Sequence, residues 1–213
     1  RMYDISFLKR ARELCNQYDV LLIFDEVITG FRLSKAGAQE YFGIQSDLTT
    51  YGKIIGGGMP VGAYGGRKEV MEVVSPVGNV YQAGTLSGNP VAMAAGLAQL
   101  HYLNEHPEVY THLNALGEKL YGGMEKMCEE LQLPYQVNHV GSLGSLFFTD
   151  QPVVDYTSAK TSDTKKFAEY FRYMLGNGVY IASSQFEAMF ISDAHTDEEI
   201  QHTLNIMHNY FEK

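Results

Sequence analysis

Lys53 and Asp25 each follow a short β-like segment, and their side chains suit chemistry on a carbonyl group. Lys53 lies after residues 47–51 and just before the glycine cluster 56–58, and Asp25 follows the apolar run 20–24. A lysine amine can form an imine with an aldehyde, and a carboxylate within hydrogen-bond reach keeps a ring nitrogen protonated. The pair therefore predicts a pyridoxal phosphate site, with Lys53 bonded to the aldehyde and Asp25 facing the pyridinium nitrogen.

The run before Asp25 predicts where that carboxylate lies in the fold. The consecutive apolar residues 20–24 are typical of a strand buried on both faces of a parallel sheet. Open α/β sheets bind their ligands at the carboxyl ends of such strands. An alternative is the magnesium-binding strand of a P-loop ATPase, although Gly52-Lys53 is followed by Ile54 and not by the Ser or Thr of that motif. A second alternative is that Lys53 lies in a plain glycine-rich turn and has no chemical role.

The polar segment 81–90 is a candidate phosphate-binding loop. Glycines and small hydroxyl residues can present backbone N–H groups and Oγ atoms to a phosphate, and Thr85 and Ser87 are the candidates. The same segment also predicts a helix start, with Ser87 or Asn89 as the N-cap and Pro90 in the first turn. Both functions are compatible.

The pattern along the rest of the chain predicts two domains, with a change of composition near residues 104–107. An α/β domain is expected over residues 1–104 and a smaller α+β domain over residues 105–213. Periodicity predicts helices over residues 4–18, 36–42, 67–74, 91–103, about 107–133, 163–175 and 196–211, strands over 20–24, 47–51, 61–66, 135–140, 142–149, 179–182 and 188–192, and a loop over 150–162.

Composition narrows the class of partner. Of the 213 residues, 45% are hydrophobic and 19% charged, a balance typical of a soluble globular protein. The net charge of −9 disfavours nucleic acid and anionic membranes as partners. Cys15 and Cys128 have no disulfide or metal spacing, and the histidines form no ligand motif, so a reducing, cytoplasmic location and no metal site are predicted. A small-molecule substrate is the remaining expectation.

Several segments together resemble the class III aminotransferases, which are fold-type I pyridoxal-phosphate enzymes. The resemblance lies in LLIFDEVITGFR (21–32), DLTTYGKIIGGGMPVGAYGG (47–66), VYQAGTLSGNPVAMAAG (80–96) and SQFE (184–187) followed by DAHT (193–196). It implies that residues 1–104 are part of the PLP-binding large domain, a mostly parallel sheet with helices on both faces. It also implies a small C-terminal α+β domain.

The resemblance assigns roles to individual positions. Lys53 matches the catalytic lysine, Asp25 the carboxylate at the pyridinium nitrogen, and Val27 the side chain that packs on the ring face. Gly84 and Thr85 match phosphate contacts that reach across a homodimer interface. A sixth position, Glu187, matches an acidic residue near the substrate pocket. The cofactor implied is pyridoxal 5′-phosphate, which passes through the pyridoxamine 5′-phosphate form during the cycle.

The reaction implied by the resemblance is the transfer of an amino group. One alternative is an intramolecular transfer within one substrate, which makes the enzyme an isomerase. The other is transfer between an ω-amine and a separate keto acid. Family members have roughly as much sequence again before the matching segment, so the N-terminal half of the same enzyme is an expected partner. A third alternative is a non-catalytic fragment that keeps the family fold.

Overall fold

The computed structural model describes residues 5–212, which divide into two units. One extends to Tyr110 and the other begins at Thr111. The first contains helices α1 (Ile5–Gln17), α2 (Gly37–Phe42), α3 (Lys68–Met71) and α4 (Pro90–Glu105), and strands β1 (Ile23–Asp25), β2 (Leu48–Tyr51) and β3 (Ala63–Gly66). Of the helices between residues 5 and 212, none combines the length and apolar character needed to cross a bilayer.

The sheet of the first unit has the order β1–β2–β3. Strand β1 pairs with β2 in parallel, and β2 pairs with β3 in antiparallel. The predicted parallel pairing is thus present between β1 and β2, and β3 is an antiparallel strand beside them. A single turn of 3₁₀ helix, Lys53–Gly56, follows β2 directly.

The apolar run before Asp25 is less buried than its sequence predicts. Only Ile23–Asp25 forms a strand, and the side chains of Val20, Leu21 and Ile23 are all exposed, Ile23 to 56%. The prediction of a five-residue strand buried on both faces is therefore wrong for this chain. The physical reason is that β1 is the edge strand of the three described strands, so this unit gives the run no second neighbour.

The second unit is built on an antiparallel sheet. Helix α5 (Glu108–Gly117) crosses the boundary between the units, and the strand order is β4–β5–β6. The remaining elements are α6 (Gly123–Glu130), β4 (Gln136–Val140), β5 (Leu143–Phe147), α7 (Tyr156–Ala159), α8 (Thr164–Gly176), β6 (Met189–Phe190) and α9 (Asp197–Phe211). Its core includes a cluster of aromatic rings from Tyr135, Phe148, Phe167, Tyr170 and Phe211.

Five further expectations for the chain differ from the structure. The long helix predicted to residue 133 is interrupted by a wider π-type turn at Glu118–Gly122, where two adjacent glycines weaken the helix. The predicted loop 150–162 contains α7, whose start is capped by Asp155. Residues 179–182 form no strand, and α3 ends at Met71, short of residue 74. Strand β6 is also shorter than predicted.

Candidate active site

Asp25 and Lys53 emerge from the same end of two neighbouring parallel strands. Asp25 is the last residue of β1 and pairs with Thr50 of β2, and Lys53 follows Thr50 by three positions. Adjacent strands lie about 4.8 Å apart, so both side chains start at one edge of the sheet. Both are exposed. The structure therefore brings together the two residues whose chemistry the sequence singled out.

The Asp25 carboxylate is oriented by two hydrogen bonds to the same oxygen. The backbone N–H of Val27 donates to Oδ1 at 3.0 Å, and Thr50 Oγ1 donates to it at 3.3 Å. Within the described part of the chain, no donor contacts Oδ2. One oxygen is thus fixed by the fold, and the other can accept a hydrogen bond from a ligand.

Lys53 occupies a strained backbone position. Its φ is +48°, in the left-handed region that costs a non-glycine residue about 1–2 kcal/mol. The turn that it begins is closed by Gly57, whose N–H donates to the carbonyl of Ile54 at 3.0 Å. Strain of this kind at a non-glycine residue is typical of functional sites.

Glycines on both sides of Lys53 permit close approach of neighbouring groups. A Cβ at Gly52 would lie 3.2 Å from Val27 Cγ1, so this glycine lets the chain before Lys53 pass close to the apolar Val27 side chain. A Cβ at Gly57 would lie 2.5 Å from the carbonyl oxygen of Ala95 in α4. An amine, a carboxylate and a branched apolar side chain are therefore grouped at one edge. This set of groups suits an aromatic aldehyde with a ring nitrogen that can be protonated.

Gly84 and Thr85 lie in an exposed segment of the same unit. Gly84 lines a cavity of about 670 Å³ together with residues 60–63, Leu86 and Ser87. The helix cap in this segment is Asn89, whose Oδ1 accepts hydrogen bonds from the first turn of α4 at 3.0 and 3.2 Å. Of the two caps that the sequence left open, Ser87 is therefore not used. The predicted phosphate contacts of Gly84 and Thr85 remain predictions.

Glu187 belongs to the second unit. It is exposed and lies between α8 and β6, where its backbone N–H donates to the carbonyl of Ser184 at 3.2 Å. Asp25, Val27 and Lys53 thus belong to the first unit, and Glu187 belongs to the second.

Glu26 is a structural residue that the sequence analysis missed. Its side chain is only 1% exposed. The carboxylate accepts hydrogen bonds from Thr29 Oγ1 at 2.6 Å and from the backbone N–H groups of Ala38 at 2.8 Å and Gln39 at 3.0 Å. It thereby provides acceptors for backbone N–H groups in the first turn of α2, whose own N-cap residue Ala36 makes no side-chain hydrogen bond. No sequence signal links a carboxylate to a helix that begins eleven residues later.

Asp47 performs a comparable role at the opposite end of the sheet. It precedes β2, and its buried carboxylate accepts from the Leu22 N–H at 2.7 Å, Arg12 at 2.7 Å and Arg67 at 3.1 Å. The Leu22 N–H, followed by the two guanidinium groups, lowers the pKa of Asp47 to about 2. Asp47 thus connects α1 with residues beside all three strands, and the carboxyl end of β1 stays open for chemistry.

Comparisons with known proteins identify the family of the chain. Residues 1–211 match the family model described as aminotransferase class-III. Glutamate-1-semialdehyde 2,1-aminomutase 1 of Lachnoclostridium phytofermentans is 62% identical over 207 residues, which are 97% of this chain and 48% of that protein. The chain spans about half the length of the curated relatives that it matches.

Solved structures extend the similarity to the fold. A β-phenylalanine aminotransferase from Variovorax paradoxus superposes with a TM-score of 0.88 at 33% identity, over 97% of this chain and 47% of that one. A structure described as a transaminase with PLP bound gives a TM-score of 0.84 at 30% identity, again over 97% and 47%. The α/β architecture with a fold-type I large domain is therefore confirmed.

Proposed function

We propose, since the chain belongs to the class III aminotransferase family, that it is the C-terminal half of a glutamate-1-semialdehyde 2,1-aminomutase. The reaction would be the intramolecular amino transfer that converts glutamate 1-semialdehyde to 5-aminolevulinate in tetrapyrrole biosynthesis. The observation that supports it most is the identity of 62% to a protein of that name over nearly the whole chain.

The side chains at the carboxyl end of β1 and β2 fit pyridoxal 5′-phosphate. Bound there, the cofactor would supply an electron sink and a carrier for the amino group. Asp25 would hold a proton on the ring nitrogen, because an opposite charge within hydrogen-bond reach stabilises the protonated form. Oδ1 is already fixed by Val27 N–H and Thr50, which leaves Oδ2 for this contact.

Lys53 would serve as the proton carrier of the reaction. Its amine starts at the same sheet edge as Asp25, and the turn Lys53–Gly56 fixes its backbone. A lysine placed beside the reacting carbon can accept a proton there and return it to a neighbouring atom. Val27 would exclude water from one face of the ring, and Glu187 would contribute to the substrate pocket.

The remaining parts of this proposal concern the whole enzyme. Residues 1–104 would belong to the large domain and residues 105–213 to the small one. An N-terminal half of the same polypeptide would complete the site, and a second subunit would receive the phosphate contacts of Gly84 and Thr85. We further propose a cytoplasmic location.

A second candidate is an aminotransferase that needs a separate keto acid. The fold similarity to the β-phenylalanine aminotransferase at 33% identity favours keeping it. The two reactions differ in their need for an acceptor. Full-length enzyme freed of keto acids should convert the semialdehyde if it is an aminomutase, and should be inactive until pyruvate or 2-oxoglutarate is added if it is an aminotransferase.

The cofactor proposal can be tested by borohydride reduction after incubation with pyridoxal phosphate, followed by peptide mapping. We expect one stoichiometric pyridoxyl adduct on Lys53 in the full-length protein, and none in Lys53→Ala. Lys68→Ala is the matched control, because Lys68 is a strongly exposed lysine in α3. Scattered labelling that Lys53→Ala leaves unchanged would exclude the site. Labelling of the full-length protein but not of this chain would identify the chain as an incomplete half.

A further inference from the structure

The segment before β6 leaves the strand register at Glu187. Strand β6 pairs antiparallel with the first two residues of β5. The same register, continued backwards, would place Glu187 opposite Leu146 and Gln185 opposite Phe148. The main chain does not follow it, because the Glu187 N–H donates instead to the carbonyl of Ser184 at 3.2 Å. The backbone groups of Leu146 and Phe148 therefore need other hydrogen-bond partners.

The side chain of Gln185 supplies those partners. Its Oε1 accepts a hydrogen bond from the Phe148 N–H at 3.0 Å, and its Nε2 donates to the Leu146 carbonyl at 2.8 Å. A primary amide offers the same donor and acceptor as a peptide group. Gln185 is only 3% exposed, so both backbone groups would be costly to leave unpaired. The glutamine side chain thus replaces a rung of the β-ladder.

This replacement frees the backbone of residues 184–188 to form a tight turn. The Phe186 N–H donates to Ser184 Oγ at 3.2 Å within that turn. Gln185 is buried, and the next two residues of the turn, Phe186 and Glu187, are exposed. If the main chain paired with β5 at this place, residues 184–188 would be extended along β5. Glu187 would then be part of a strand and not of a turn.

We propose that Gln185 is the positioning residue for Glu187, and that its two hydrogen bonds to β5 set where the Glu187 carboxylate stands in the substrate pocket. This inference rests on the proposed function, because Glu187 has a pocket to serve only if the chain is part of the enzyme. The alternative is that Gln185 contributes to stability alone and has no effect on the reaction.

A double-mutant cycle in the full-length enzyme separates these possibilities. Gln185→Met keeps the length of the side chain and removes both hydrogen bonds. We expect kcat/KM to fall by roughly 10- to 100-fold, mainly through KM, as for a misplaced contact. In a Glu187→Gln background the same change should cost less than about twofold, because the residue it positions is already altered. Gln201→Met, at an exposed glutamine in α9, is the matched control and should leave kcat/KM unchanged.

Hydrogen exchange tests the positioning independently of turnover. Exchange over residues 184–188 should accelerate in Gln185→Met at a temperature where the wild type and the variant are both folded. Gln185→Leu also removes both hydrogen bonds without burying a charge and should give a similar acceleration, which provides a second variant if the first folds poorly.

Three results would overturn the proposal. These are an unchanged kcat/KM, a loss of equal size with and without Glu187, and unaltered exchange over 184–188. If wild-type full-length enzyme fails to convert the semialdehyde, the proposed function fails. The exchange measurement then decides by itself whether Gln185 holds the turn.

Discussion

Thr50 donates its Oγ1 hydrogen to Asp25 Oδ1 at 3.3 Å, across two parallel strands that end at the candidate cofactor site. The contact joins the residue expected to hold the ring nitrogen to the strand that leads to Lys53. It also lies on the same oxygen as the hydrogen bond from the Val27 N–H. The direction of the carboxylate is therefore set by the pairing of β1 with β2 before any ligand binds.

The charge of Asp25 should matter far more than its hydrogen bond to Thr50. We expect Asp25→Asn to lower kcat of the full-length enzyme by at least about 100-fold, since a neutral amide cannot hold the ring nitrogen protonated. Thr50→Val removes one hydrogen bond and should cost about 2- to 10-fold. Thr50→Ser keeps the hydroxyl and is the control for Thr50→Val. Steady-state kinetics on the three variants would refute this order if Asp25→Asn were as active as Thr50→Val.

The left-handed backbone conformation of Lys53 should lower the stability of the protein. Because its φ is +48°, replacement by glycine relieves strain that alanine retains. We expect Lys53→Gly to be more stable than Lys53→Ala by about 1 kcal/mol in urea unfolding. Lys126 in α6 is the matched control, because it lies in a helix, where glycine should be less stable than alanine by about 1 kcal/mol. The same preference for alanine at both positions would show that Lys53 is not strained.

Local signals in the sequence predicted the parts of the fold that depend on local contacts. Asn89, one of the two predicted caps, starts α4, and the helix predicted over residues 196–211 is present as α9, because cap residues and helical periodicity act within a few positions of each other. The order Asp25, strand, Lys53 also predicted that the two residues lie at one edge of the sheet, since parallel strands place their carboxyl ends together; their part in a cofactor site stays a prediction.

Features that depend on distant contacts could not be predicted in this way. The exposure of Ile23 reflects which strands pair beside β1, and no periodicity reports that. Glu26 and Gln185 act on backbone groups 12 or more positions away, on Ala38 and Phe148 respectively. Their side chains look ordinary in the sequence, and their function becomes visible only when the backbone groups that they satisfy are placed beside them.

The Asp47 cluster should make stability depend on pH at the acidic end. The pKa of Asp47 is lowered from 3.8 to about 2, first by the Leu22 N–H and then by Arg12 and Arg67. A carboxylate whose pKa is lower in the folded state than in the unfolded state stabilises the protein at pH values above its unfolded pKa. This stabilisation is lost as the pH falls through the folded pKa. Ionised Asp47 should contribute on the order of 1–2 kcal/mol to the free energy of unfolding, a value that allows for solvent screening at half-exposed Arg67. This contribution should disappear between about pH 4 and pH 2.

Asp47→Asn tests that assignment. We expect the free energy of unfolding at pH 7 to fall by about 2–4 kcal/mol, because Arg12 loses its partner in a largely buried place. The stability of the variant should also change less than that of the wild type between pH 4 and pH 2. Glu13→Gln, which breaks the exposed pair with Arg10, should change stability by less than about 0.5 kcal/mol. A variant with the wild-type pH profile would place the acid sensitivity elsewhere.

Glu26 should support the site through the fold and not through the chemistry. In Glu26→Gln an amide N–H₂ replaces one of the two oxygens that accept from Thr29, Ala38 and Gln39, so at least one buried donor loses its acceptor. We expect a loss of about 2–3 kcal/mol in urea unfolding. Glu40→Gln is the control. Glu40 lies in α2, the helix whose start Glu26 binds, and its exposed carboxylate accepts a hydrogen bond from the Ala36 N–H, so its replacement should cause a smaller loss of stability.

The adjacent carboxylates Asp25 and Glu26 can then be told apart by combining stability with labelling of Lys53. Glu26→Gln should unfold in less urea, yet below its unfolding transition the full-length variant should give a full pyridoxyl adduct on Lys53, because the substitution leaves Asp25 and its hydrogen bonds from the Val27 N–H and Thr50 Oγ1 in place. Asp25→Asn should show the reverse pattern, with stability close to that of the wild type and a weakened cofactor site. Glu26 would have a direct part in cofactor binding if its variant lost the adduct while fully folded.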